Sequence, residues 1–373
     1  MRSCKLITSN WLAVWGMLPT MLAMEIRSDI LVVDQDPSNQ AADHQQLQPA
    51  IDAAQAGDTI YVMPSAATFE DATVEKSLTF IGAGMAREVA FPEASSLESR
   101  LGGLTIKASD VFVTGFVFAG EVRVLAPSQN ITIFRNFFDD STYSGELSAY
   151  AVETPEVATT LSNLHVINNR FRSNSSSKVV VDLFHSALDD KQILTEMVGF
   201  VFANNFLVGG DFDFPHGSGE IYNNYFSVDR INFRESTSLN GTIYAEGRFF
   251  NNIVHRAFFV GNRLVATHNA YSSQVTVSEG IDKFFADASN LKYTELSEMI
   301  VNEGAWGNAF VPTAGSLLKG AGMNGEDIGI FGGPHAWNLN HQPPVPIITK
   351  LQAPRIVGTG ENLSLQIEVQ PNN

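Results

Sequence analysis

One cysteine, Cys4, is all that 373 residues carry. No internal disulfide can form, and zinc sites built on cysteine pairs are excluded. Charge is scarce as well, at 17% of residues, and 23 basic residues face 40 acidic ones for a formal net charge of −17. A chain so short of cations lacks the footprint that phosphate backbones require, which excludes a nucleic-acid partner. An acidic surface suits an extracellular setting or divalent cations, and it also serves solubility alone. The clearest apolar run is Trp11 to Ala23, preceded by Arg2 and Lys5. It is too short for a stable membrane span, so residues 1–24 read as a secretory leader and the chain as secreted or cell-surface.

Aromatics and turn formers are plentiful, with 26 Phe, 29 Gly and 15 Pro. A strand-then-asparagine phrase recurs through the middle of the chain: Ile131 to Phe138, Leu164 to Phe171, Gly199 to Phe206, Glu220 to Phe226 and, degraded, Arg248 to Val254. Strand repeats at irregular periods of about 20 to 35 residues predict a solenoid in which the same corner is laid above itself. Asn136, Asn169, Asn204, Asn224 and Asn252 would stack there as an amide ladder, with the Phe two places on stacked inside. The fold class expected is all-β, a parallel β-helix of roughly ten coils, on the order of 45 Å long.

A helix is expected from Asp43 to Gln55, because Leu47, Ala50, Ile51 and Ala54 share one face. Asp43 is its expected N-cap and Gly57 its stop, and it would cover the first open coil edge. Core strands are expected in Gly57 to Pro64, in Lys76 to Gly84, and twice in Gly103 to Phe118. Asp139 to Asn163 and Asp189 to Val198 read as inserted loops, and Ser316 to Pro334 as a Gly-rich closure of the last coils. The domain reading is residues 1–24 leader, 25–56 strand and capping helix, 57–335 solenoid, and 336–373 a Pro-rich linker with the start of a truncated sandwich-like module.

The segments LQPAIDAAQAGDTIYVMP and VEKSLTFIGAG, with the closing GSLLKGAGMNGEDIGIFGGP, resemble secreted bacterial right-handed parallel β-helix proteins of the pectate-lyase-like superfamily. The Gly-Thr-Tyr turn usual after the Pro is replaced here by residues 65–69. That resemblance implies the fold, and it implies lyases, hydrolases, esterases, spikes and adhesins alike. The hydrolase signatures of the fold, Arg-x-Lys and Gly-His-Gly, are missing, and Asp139-Asp140 and Asp189-Asp190 are adjacent pairs that an extended strand turns opposite ways.

The local candidate is Gly209 to Glu220. On a strand, Asp211 and Asp213 share one side while Phe212 and Phe214 share the other. Asp211, Asp213 and Glu220 are therefore candidate Ca²⁺ ligands, with neighbouring coils supplying the remaining oxygens. A solvated outer face is the competing reading. Arg230, Arg234 and Arg248 are candidate bases for a β-elimination, and Arg256, Arg263, His216 and Tyr225 candidate substrate contacts. Ordinary pairing of these arginines with Asp229, Glu235 and Glu246 is the alternative. Three functions stay open: a monomeric β-helix binding a polysaccharide, acidic or not; a Ca²⁺-dependent lyase acting on a uronate glycan; and a non-catalytic adhesin or spacer.

Overall fold

The computed structural model of this chain describes residues 28–84, 98–139, 145–151, 160–175, 178–183, 196–214, 217–233, 236–238, 241–243, 245–260, 264–278, 281–300, 310–337, 347–352 and 366–370. The architecture is an all-β parallel β-helix solenoid. Ten parallel strands, from Ile30–Val33 to Val265–Thr267, form the first face. Nine spacings of about 4.8 Å make it about 43 Å long. The second face follows an asparagine corner and runs through Phe137–Asp139, Arg170–Arg172 and Phe206–Val208. The third runs through Glu121–Ala126, Glu146–Ala151, Val179–Asp182 and Asp211–Phe214. Two long strands, Tyr225–Phe233 and Ile253–Val260, bend from the second face into the third and join both into one sixteen-stranded sheet.

Strand alternation fills the lumen. Glu121–Ala126 buries every second residue, and in Asp211–Phe214 the rings of Phe212 and Phe214 are fully inside. Parallel register then piles like on like: Phe118, Phe138 and Phe171 are in register, with ring centroids 5.0 and 4.6 Å apart. Such stacks add to area burial by about 0.5–1.5 kcal/mol per pair.

The amide ladder is present and longer than expected. Its rungs are Asn136, Asn169, Asn205, Asn224, Asn252, Asn269 and Asn290. Each Oδ1 from Asn169 onward accepts the backbone N–H and the side-chain amide of the rung before it, as Asn224 does from Asn205 at 2.8 and 3.1 Å. Asn204, the expected third rung, is not one. It sits one residue earlier, at φ 52, in a second row with Arg135, Asn168, Asn223, Asn251 and His268, all between 52 and 57. A left-handed residue turns the chain before each rung, and Asn tolerates that conformation. With Asn205 as the rung, the inward position two residues on is Leu207, while Phe206 faces outward.

Other expectations need correction. The helix spans Leu47–Ala53 and Gln46 is its N-cap residue. Asp43 instead accepts the N–H of Val32 at 2.8 Å, holding the first strand. Glu146–Ala151, inside the expected Asp139–Asn163 insertion, is a full third-face strand paired with Glu121–Ala126. Ser316 to Pro334 does not close the last coils; it folds back along the outside of the asparagine corner. Strand Ile347–Gln352 pairs antiparallel with Gln366–Gln370. The leader region and the pair Asp189-Asp190 lie outside the described residues. Among the described residues no helix is long and apolar enough to cross a membrane.

Candidate functional site

Two outer faces carry unusual chemistry. On the third face, Arg123, Ser148, Asp182, Asp213 and Asn232 stand in register on five successive strands. A second file beside it holds Asp211, Arg230 and Phe258. Parallel pairing therefore builds a polar file, with Ser148, Asp211, Asp213 and Asn232 buried, from residues that are 19 to 34 positions apart in sequence. Asp213 is 3% exposed and accepts a short hydrogen bond from the Asn232 side-chain amide. Asp211 faces Arg230 at 3.8 Å. Around the bend, Arg256 donates to Asp229 at 2.6 Å. Ser148 donates to Glu121, which also pairs with Arg123 at 2.5 Å.

Phe258 is the residue that sequence reasoning missed. It is 39% exposed, on a strand whose Ala257 and Phe259 are buried. The signal was the phrase Ala-Phe-Phe-Val, in which alternation must turn one ring of the pair outward. Tyr225, a candidate sugar contact, is 4% exposed. Its ring stacks on Phe206 at 4.8 Å and meets Phe310 at 4.6 Å, and burial raises its hydroxyl pKa well above the usual range.

The coil disperses the other candidates. Glu220 and Arg248 lie on the first face, where the Arg248 Nε donates to Glu220 at 3.0 Å and the guanidinium covers Phe250 at 5.0 Å. Asp211 and Asp213 lie on the third face, so the proposed metal trio is not gathered. Asp211 faces a guanidinium and Asp213 an amide, and among the described residues no three His, Cys, Asp or Glu side chains are placed to hold a metal ion. Ca²⁺ requires six to eight oxygens, so these residues do not fit it. Arg230 and Arg248, candidate bases, occupy different faces. Arg234, His216 and Arg263 lie outside the described residues. His255 is half-buried beside the Tyr293 hydroxyl at 3.3 Å; burial first and Arg256 second lower its pKa, which keeps it neutral.

The second face is the opposite in character. Its outward residues Phe206, Tyr225, Ile253 and Ala270 are apolar, and Leu318, Ile328 and Ile330 cover them as a second core outside the coil. Trp337 extends the cover over Val117 and Phe137.

Comparisons with protein-family models, with curated proteins and with solved structures give no match to this chain.

Proposed function

We propose that this chain is a secreted or cell-surface, monomeric β-helix of the pectate-lyase-like kind that binds an extended glycan across its third face. The observation that carries this reading is Phe258, an exposed ring in register with Arg230 and Asp211 on an otherwise polar sheet surface. A flat aromatic supports the apolar face of a sugar ring, while the exposed Arg230 and Arg256 and the partly exposed Asp229 bond its hydroxyls. The basic start and the apolar run at residues 11–23 support export. Glu121, Asp182, Asp211, Asp213 and Asp229 outnumber Arg123, Arg230 and Arg256 on this face, which favours a hydroxyl-rich, uncharged chain over a uronate.

The test is binding of neutral and uronate-containing soluble polysaccharides by the parent chain and by Phe258→Ala. Binding of a neutral glycan, weakened about tenfold in the variant, is the expected result, since one stacked ring contributes on the order of 1–2 kcal/mol. A rise in ultraviolet absorbance on a uronate glycan would replace this reading with a lyase. Failure to retain any glycan would leave the spacer.

A further inference from the structure

The outer row of left-handed asparagines grips a crossing chain by its backbone. Asn223 Nδ2 donates to the carbonyls of Asp327 and Gly329, both at 3.0 Å. One coil away, Asn204 Nδ2 donates to those of Ile330 at 2.9 Å and Gly332 at 2.8 Å. The pattern repeats: each amide spans carbonyls two residues apart, and the crossing chain advances three residues per coil. At the next coil Asn251 accepts the N–H of Met323 at 2.7 Å, and its own carbonyl accepts that of Gly329 at 2.8 Å. At the far end the Trp337 indole N–H donates to the Asn204 carbonyl. The segment 316–337 contributes no strand to the coil.

Two features give the row selectivity. A Cβ on Gly332 would lie 1.8 Å from the Asp327 carbonyl oxygen and 2.6 Å from Asn223 Nδ2, so only glycine passes there. Gly329, at φ 95, would meet Ile253 at 2.5 Å. On either side of Gly329, Ile328 and Ile330 pack against Phe206, Tyr225 and Ile253. The row also runs on to Asn168, which is 3% exposed and whose Oδ1 has no hydrogen-bond partner.

We propose that this row is a peptide-binding track: it recognises the backbone of a turn-rich, glycine-spaced polypeptide whose Ile328 and Ile330 side chains anchor it, and the segment 322–337 occupies it as a ligand in cis that can be released and rebound. As in other peptide readers, hydrogen bonds to the peptide backbone would supply affinity and side-chain pockets specificity; here the donors are asparagine amides.

A protease recognition sequence inserted between Ala314 and Gly315 tests this in the full chain, because both are exposed and a Cβ at Gly315 meets nothing within 4 Å. After cleavage, a fluorescent synthetic peptide of residues 322–337 is added in excess and its anisotropy followed. The expected result is exchange into the track, with a peptide carrying Gly332→Ala binding at least tenfold more weakly and the nicked Asn204→Gly, Asn223→Gly chain also at least tenfold more weakly. The peptide variant cannot unfold the protein, so it isolates recognition from folding. Absence of exchange, or equal binding by parent and Gly332→Ala peptides, would overturn the proposal.

Discussion

At each corner of the coil two adjacent residues, often both asparagine, do opposite things. Asn205 is enclosed by the coil and bonded to Asn169, Asn224 and the Val166 carbonyl. Asn204, its neighbour in sequence, is equally inaccessible, yet its amide faces outward and is bonded to Ile330 and Gly332, more than 120 residues away in sequence. One row holds coil to coil, and the other holds a crossing chain to the outside. The difference comes from backbone conformation: the first residue is left-handed and turns the chain, and the second points its side chain back under the turn. Residue type alone therefore does not assign the role.

The largest expected effect lies in the inner row. Asn224→Leu removes an amide that donates to Phe202, Tyr222 and Asn252 and accepts two N–H groups from Asn205. Several of those groups would be left buried without partners, at about 1–3 kcal/mol each. Unfolding in urea should show a loss of at least about 3 kcal/mol. A smaller loss than that of the outer-row variant would reverse the ranking of the two rows.

The repeating phrase made the inner row legible and also misassigned one rung. In Gly199 to Phe206 two asparagines precede the Phe, and spacing to that Phe favours Asn204. Hydrogen bonding selects Asn205 instead, because a single-residue slip exchanges inside for outside. The doubled asparagines at 168–169, 204–205, 223–224 and 251–252 were the visible signal of a second row. The crossing segment was not legible, since its glycines carry no strand period. The arginine cluster was legible as a cluster only in sequence: Arg230 and Arg248 are 18 residues apart and go to different faces. The Asp211–Asp213 side and the inward Phe212 and Phe214 followed directly from period two.

The outer row should respond less strongly, and it can be dissected. Asn204→Leu loses two hydrogen bonds and places a side chain at positive φ, a combined cost of about 2–4 kcal/mol. Asn204→Gly keeps the turn and loses only the bonds, at about 1–2 kcal/mol. Equal losses in the two variants would show that the turn conformation contributes little and the crossing chain nearly everything.

Acid should loosen the same region more gently. Burial first, then the neighbouring His165, lowers the pKa of His335, and burial lowers that of His165. Both rings are neutral in the folded chain, whereas unfolding lets each take a proton nearer 6.5. The stability this contributes is therefore present above about pH 6.5 and declines as the pH falls below it. Hydrogen exchange at the Trp337 amide, bonded to the Ile330 carbonyl at 2.9 Å, should lose protection between pH 7 and 5 beyond the intrinsic rate change. His335→Asn should remove part of that dependence.

Smallest of all should be the stability effect of the exposed third-face ring, and that contrast separates binding from scaffolding. Phe258 already has 39% of its surface in water, so Phe258→Ala forfeits little packing and should shift the urea midpoint by less than about 1 kcal/mol. Phe206, also outward-facing but 1% exposed beneath the crossing chain, should lose about 3–5 kcal/mol on the same substitution. If Phe258→Ala were as destabilising as Phe206→Ala, the third-face ring would be part of a covered core like the second face, and its role as a sugar platform would fall with it. A small stability change combined with weakened glycan retention assigns the ring to recognition.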